Sequence, residues 1–133
     1  MLVRDLMQQN LETVASDATI AEAIERLVDA HVSGLPVMDS FGRAVGVISA
    51  RDILTAERAH LDSVERARLF DSTLVLEVMQ AWPRTVGPET PLREAADRML
   101  RLGTQRVFVE EDGALVGVIS LTDIARSFAR LTV

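Results

Sequence analysis

The chain has 133 residues, 48% of them hydrophobic and 26% charged, with a formal net charge of −6 and no Cys. That length suits one compact domain or two small repeats sharing a core, burying roughly two-thirds of the unfolded surface with no need of the disulfides or thiolate metal sites that the missing Cys exclude. An acidic chain (pI ≈ 4.9) with one Trp, no Tyr and four Phe is a poor fit for broad nucleic-acid binding. Its apolar runs are short and broken by charges, and Met1-Leu2-Val3-Arg4-Asp5 does not read as a signal peptide, so no membrane span and a cytoplasmic location are expected.

In chain order, a short extended piece over 12–15 leads to a helix start where Thr19 and Glu22 have the form of a capping box. Ile20, Ala23, Ile24, Leu27 and Val28 then recur on one helical face. A hairpin follows, Leu35 to Met38 turning through Asp39-Ser40-Phe41-Gly42 into Ala44 to Ile48. A second helix opens at Ser49. Leu54, Leu61, Val64 and Ala67 continue at rough helical spacing with few Gly or Pro, so 55–74 reads as an extended second helix plus a helical connector.

The pattern then begins again. Met7 and Met79 stand 72 positions apart, and at the same offset Thr13-Val14 meets Thr85-Val86, Ile20 meets Leu92, Ala23 meets Ala95 and Val37 meets Val109. After one deletion in the turn, Val45-Gly46-Val47-Ile48-Ser49 meets Val116-Gly117-Val118-Ile119-Ser120, and Asp52-Ile53 meets Asp123-Ile124. The chain is a tandem duplication. In the second copy 84–87 is extended, Thr90 precedes Pro91 at the expected first helical position, and Leu92, Ala95, Ala96, Met99 and Leu100 form the helical face. Arg106 to Val109 turns through Glu111-Asp112-Gly113 into Leu115 to Ile119, and a helix opens at Ser120. The expected class is α+β, two strand-helix-strand-strand-helix repeats packed as a pseudo-two-fold pair, divided as 1–56, a 57–74 connector and 75–133. One repeat alone is too small to cover its sheet.

Ser33-Gly34-Leu35-Pro36-Val37, Gly46-Val47-Ile48-Ser49-Ala50-Arg51-Asp52 and Gly117-Val118-Ile119-Ser120-Leu121-Thr122-Asp123 together resemble the cystathionine-β-synthase (CBS) domain, and two in tandem resemble a Bateman module. The resemblance runs from Val3 to about Phe128. It implies a regulatory module that binds an adenosyl compound (AMP, ADP, ATP, S-adenosylmethionine or NADH) in clefts between the repeats, and that pairs into a homodimer. Carried over residue by residue, it places Asp52 and Ser49 at one ribose and Asp123 and Ser120, beside Thr122, at the other. Ser33, Gly34, Leu35 and Pro36 would flank one base, with Thr104 to Val107 flanking the other, and Thr13 and Thr85 belong to the same candidate set. Both copies carry Ser where the family often has Thr. Phe108 replaces Pro36, and Gln105-Arg106 replace Ser33-Gly34, so two unequal clefts are expected.

Elementary chemistry leaves two readings of Ser-x-x-Asp. A carboxylate can accept both hydroxyls of a ribose diol, and a helix start favours negative charge and faces a phosphate with its amides. The same residues form a capping box that needs no ligand. Gly46 and Gly117 leave room for a close backbone approach within a strand. Arg51, at a helix start, and Arg106, ahead of a hairpin, are candidate phosphate forks or else surface ion pairs, with Arg4 and Arg43 weaker candidates.

The absences point away from catalysis. His31 closes a helical face and His60 lies in the connector, and two His without Cys give no metal-ligand spacing. All 14 basic residues are Arg, which excludes a P-loop or Schiff-base lysine. Glu110-Glu111-Asp112 reads as a solvated turn, and Met7, Met38, Met79 and Met99 as core filling. No nucleophile is recognisable beside a base. The expected function is therefore not enzymatic and needs no cofactor: a stand-alone sensor of an adenosyl ligand that signals to an unidentified effector protein through differential affinity for two states. The alternative is a structural dimerisation module with vestigial clefts. Binding of single-stranded nucleic acid is a third reading, opposed by the net charge.

Overall fold

A computed structural model describes residues 1–59, 62–81 and 85–131, without the side chains of the last two. The order is α1 (Val3–Leu6), β1 (Val14–Ala15), α2 (Ile20–Ala30), β2 (Gly34–Met38), β3 (Ala44–Ser49), α3 (Ala50–Arg58), α4 (Ser63–Ser72), α5 (Val75–Val78) and β4 (Gln80–Ala81). The second copy supplies β5 (Thr85–Val86), α6 (Leu92–Leu102), β6 (Arg106–Glu111), β7 (Ala114–Ser120) and α7 (Leu121–Leu131). Helices and strands thus follow the duplicated pattern of an α+β fold.

The compact units divide the chain differently from the sequence repeats. One is Glu12–Pro83, and the other joins Met1–Leu11 to Arg84–Val133. The segment ahead of each repeat therefore folds onto the other repeat's sheet. In the first unit the sheet order is β1-β2-β3-β4, with β1 parallel to β2 and the remaining pairs antiparallel. Val75, on α5, is fully buried in the core with Val14, Ile20, Leu35, Val37 and Ile48. In the second unit the order is β5-β6-β7, and Gln8 bridges Val118 antiparallel, where Gln80 pairs with Val47 in the first. Val3 of α1 is fully buried with Leu92, Met99, Val109 and Ile119. Burying one such Val contributes about 1.5–3 kcal/mol, which secures a four-residue helix that could not stand alone.

The glycines facing these exchanged segments explain the fit. A Cβ on Gly46 would lie 2.5 Å from the Gln80 carbonyl oxygen and 2.6 Å from Met79 Sδ. On Gly117 it would lie 2.9 Å from the Gln8 carbonyl oxygen and 3.0 Å from Met7 Sδ. The close approach expected at both glycines is thus made by the protein's own chain.

Several local expectations are corrected. Pro91 is the N-cap of α6, not its first residue, because Leu2 pairs with it and holds it extended (ψ 143°). Val28 and Leu100 are exposed (63% and 67%), since each stands about 100° around the helix from the centre of the buried stripe. Leu54, Val64 and Ala67 are exposed as well; α4 buries Leu69 and turns Phe70 to the core. The second helix ends at Arg58, and the connector helix starts afresh with Asp62 as N-cap, accepting from Glu65 N–H at 2.7 Å. Leu61 and His60 lie outside the described residues. Glu110 and Glu111 belong to β6, because a two-residue turn with positive φ at Asp112 (53°) and Gly113 (81°) carries the hairpin further than expected. Glu110 is half-buried and accepts a hydrogen bond from the Thr85 hydroxyl at 3.1 Å.

Candidate functional site

Both Ser-x-x-Asp motifs sit where a central strand runs directly into a helix, which puts the Ser at the N-cap and the Asp at the third helical position. In the first unit the motif is closed on itself. The Ser49 N–H and hydroxyl both donate to Asp52 Oδ2 at 2.9 Å, and Ser49 Oγ accepts from Asp52 N–H at 3.1 Å. Gln80 Nε2 donates to the remaining oxygen, Oδ1, at 3.0 Å. Both carboxylate oxygens have protein partners.

The second motif is open. Ser120 Oγ accepts from Asp123 N–H at 3.0 Å, but among the described residues Ser120 returns no bond to the carboxylate. Asp123 Oδ1 lies 3.6 Å from Arg126 Nη1 on the next turn, an ion pair with both side chains well exposed. In front of it lies a cavity of about 450 Å³ lined by Gln8, Gln105, Arg106, Val118, Ser120, Thr122 and Asp123. All seven belong to one compact unit. The cavity joins an accessible carboxylate to a guanidinium that forms no ion pair among the described residues, with two amide side chains beside them. Such a lining can accept hydroxyls at the carboxylate, fork onto a phosphate at the guanidinium and meet donors or acceptors at the amides. Among the described residues, neither the Ser120 nor the Thr122 hydroxyl donates to the Asp123 carboxylate.

The other expected residues are dispersed. Leu35 and Val107 are core residues (1% and 3% exposed), able to offer only backbone. Pro36 is buried in β2, while Ser33 is exposed and its carbonyl accepts from Ala50 N–H at 2.9 Å. Gly34 pairs with Ser49 across the hairpin. Arg51 is exposed at the second position of α3, with no ion pair among the described residues. Thr104 braces its own strand start, its hydroxyl accepting from Arg106 N–H and donating to the Arg106 carbonyl. Thr13 and Thr85 present their carbonyls to Arg26 (3.1 Å) and Arg98 (2.8 Å), and Thr85 lines a separate depression with Arg98, Arg101 and Leu102. Of the weaker cations, Arg4 pairs with Glu89 at 2.6 Å. The sequence reading missed Gln8 and Gln80, whereas Gln105 lies within the 104–107 span it placed beside one base. The signal was present, because Met7-Gln8 and Met79-Gln80 match as pairs at the duplication offset.

Comparison with known proteins finds relatives over nearly the whole chain. The CBS domain profile matches residues 3–59 and 75–130. Curated relatives include an uncharacterised protein, MJ1225, of Methanocaldococcus jannaschii (32% identical, covering 93% of this chain and 41% of the relative). The gamma-3 subunit of 5'-AMP-activated protein kinase from Sus scrofa is 36% identical, over 90% of this chain and 23% of the relative. This chain therefore spans less than half the length of either. Among solved structures, CBSX2 in complex with AMP superposes with a TM-score of 0.79 at 30% identity, covering 99% of this chain and 98% of that one. The CBS domain pair of MJ0100, in complex with 5'-methylthioadenosine and S-adenosyl-L-methionine, gives 0.79 at 26% identity, covering 98% of each chain.

Proposed function

This chain belongs to the CBS-domain family, carrying a tandem pair, and from that premise we propose that it is a regulatory module that binds an adenosyl nucleotide at the second Ser-x-x-Asp motif. The observation that carries the reading is the cavity that brings the accessible Asp123 carboxylate and the Arg106 guanidinium together in an acidic protein. In this reading Asp123 accepts the ribose hydroxyls, Ser120 and Thr122 offer hydroxyls beside it, and Arg106 takes the phosphate. AMP, ADP and ATP are the first candidates. Support comes from the relatives solved with AMP and with S-adenosylmethionine. The module is read as non-catalytic and as working in a homodimer in the cytoplasm, where a ligand-dependent change of state is transmitted to an effector protein. Such signalling requires the ligand to bind one state more tightly than the other.

Thermal unfolding with AMP, ADP, ATP, S-adenosylmethionine and NADH tests the reading. A ligand at one hundred times its dissociation constant adds about 2.7 kcal/mol. The expected result is a rise of several degrees with one of them, lost in Asp123→Ala. No rise with any, together with variants that merely melt earlier, would leave the second reading, a dimerisation scaffold with vestigial sites. The closed Asp52 box favours that role for the first motif.

A further inference from the structure

The two motifs differ at an atom that a ligand would use. Ser49 accounts for one oxygen of Asp52, leaving Oδ1 as the oxygen able to turn outward, and Gln80 Nε2 holds it at 3.0 Å. Gln80 reaches it because β4 pairs with β3 in a register that sets Gln80 opposite Val47, two residues before Ser49. Gln8 stands in the equivalent register, exchanging backbone hydrogen bonds with Val118 (2.8 and 3.1 Å), two residues before Ser120. Its side chain lines the open cavity and makes no hydrogen bond to Asp123 among the described residues. Two features account for the difference. Arg126 draws on Asp123 from the next helical turn, where the first unit has the uncharged Thr55. The full capping box fixes the Asp52 carboxylate, so that its free oxygen faces a constant direction.

We propose that the Gln80 side-chain amide is an internal latch, donating to Asp52 Oδ1 in place of a ribose hydroxyl and holding the first motif in a low-affinity state. The proposal rests on the reading of Ser-x-x-Asp as a ribose acceptor and assigns Gln80 as the residue that makes the two motifs unequal. A ligand at the first motif must first break this hydrogen bond, so its apparent affinity falls by the latch's equilibrium constant. Both Gln80 and Asp52 are partly solvated, which puts the effect at about tenfold. An amide on a two-residue strand also yields without unfolding the sheet, so the first motif opens only at high ligand concentration.

The test is calorimetric titration with AMP and ATP on the full chain, in wild type, Asp123→Ala, and Asp123→Ala combined with Gln80→Met or Gln80→Ala. Met keeps the length of the side chain and removes its donors. Silencing the second motif should leave weak residual binding, and both Gln80 substitutions should tighten it about tenfold. Adding Asp52→Ala should abolish the gain, and Gln8→Ala in otherwise wild-type protein should not raise affinity. If wild type binds and Asp123→Ala weakens it, yet neither Gln80 variant tightens the remainder, the latch is overturned while the nucleotide reading stands. If wild type binds nothing and a Gln80 variant creates a site that depends on Asp52, the latch stands and the assignment of the second motif falls. Absence of binding in every variant overturns both. The Gln80 variants should still unfold cooperatively, a few degrees below their parent as the lost hydrogen bond requires, which excludes loss of folding as the cause.

Discussion

Asp52 and Asp123 occupy the same helical position behind the same Gly-Val-Ile-Ser strand end, and the chain puts them to different uses. The first is consumed by its own N-cap and by Gln80; the second faces a cavity of about 450 Å³. Their cations differ in the same way. The first unit carries Arg51 on the helix and Gly34 on the strand, and the second carries Thr122 on the helix and Arg106 on the strand. Duplication has kept the backbone and changed which polar groups surround a shared carboxylate. Sequence identity at a motif therefore does not imply equal chemistry.

The largest expected difference between the units lies at the exchanged segments. Gly46→Ala sets a methyl group 2.5 Å from a backbone oxygen, and β4 must move to relieve it. It should cost about 3 kcal/mol, whereas Gly117→Ala, with its nearest atom at 2.9 Å, should cost about 1–2 kcal/mol. Denaturant unfolding of both variants checks this. Equal costs would mean that the two segments are held with equal tightness, against the difference between the 2.5 and 2.9 Å approaches.

The aspartates come next, with opposite signatures. Asp52→Ala removes a complete capping box and should lower stability by about 1–2 kcal/mol, with little effect on the tighter nucleotide site. Asp123→Ala should lower stability by less than about 1 kcal/mol and weaken nucleotide binding about tenfold to a hundredfold. Denaturation and titration on the same preparations separate the two outcomes; if Asp52→Ala proves the variant that loses ligand, the assignment of the motifs is reversed. Arg106→Ala should have a smaller effect, about fivefold in affinity for AMP and ATP and little for adenosine, with the difference shrinking as salt rises.

The sequence revealed the duplication, the hairpins and the helix starts at Ser49 and Ser120 because each is a local signal: period, turn residues, N-cap chemistry. It could not show that Val3 completes the core of the second repeat and Val75 that of the first, because periodicity says that a residue is buried without saying against what. Val28 and Leu100 failed for a related reason, since apolar type places a residue near a helical stripe and only the packing fixes its edge. Of the candidate site, Ser120, Thr122, Asp123 and Arg106 line one cavity. Gln8 and Gln80 escaped notice because their role depends on a strand pairing between segments about 110 and 33 residues apart. The Met-Gln repeat was visible, and only the Met was given a meaning.

The smallest contrast lies in the hairpins, at the far end of the same strands. In the first, Asp39 Oδ1 accepts from the N–H groups of Phe41 and Arg43, both at 2.9 Å, and the turn depends on that carboxylate. In the second, no side-chain hydrogen bond closes the turn among the described residues, and Asp112 at φ 53° stands ahead of Gly113. Asp39→Ala should therefore cost about 1 kcal/mol, while Asp112→Gly, which relieves a left-handed conformation at some cost in unfolded-state entropy, should change stability by no more than a few tenths of a kcal/mol. Thermal melts of the two variants measure the difference. If Asp112→Gly proved as costly as Asp39→Ala, the second turn would also rest on its carboxylate, and the two hairpins would be equivalent in their chemistry although they differ in length.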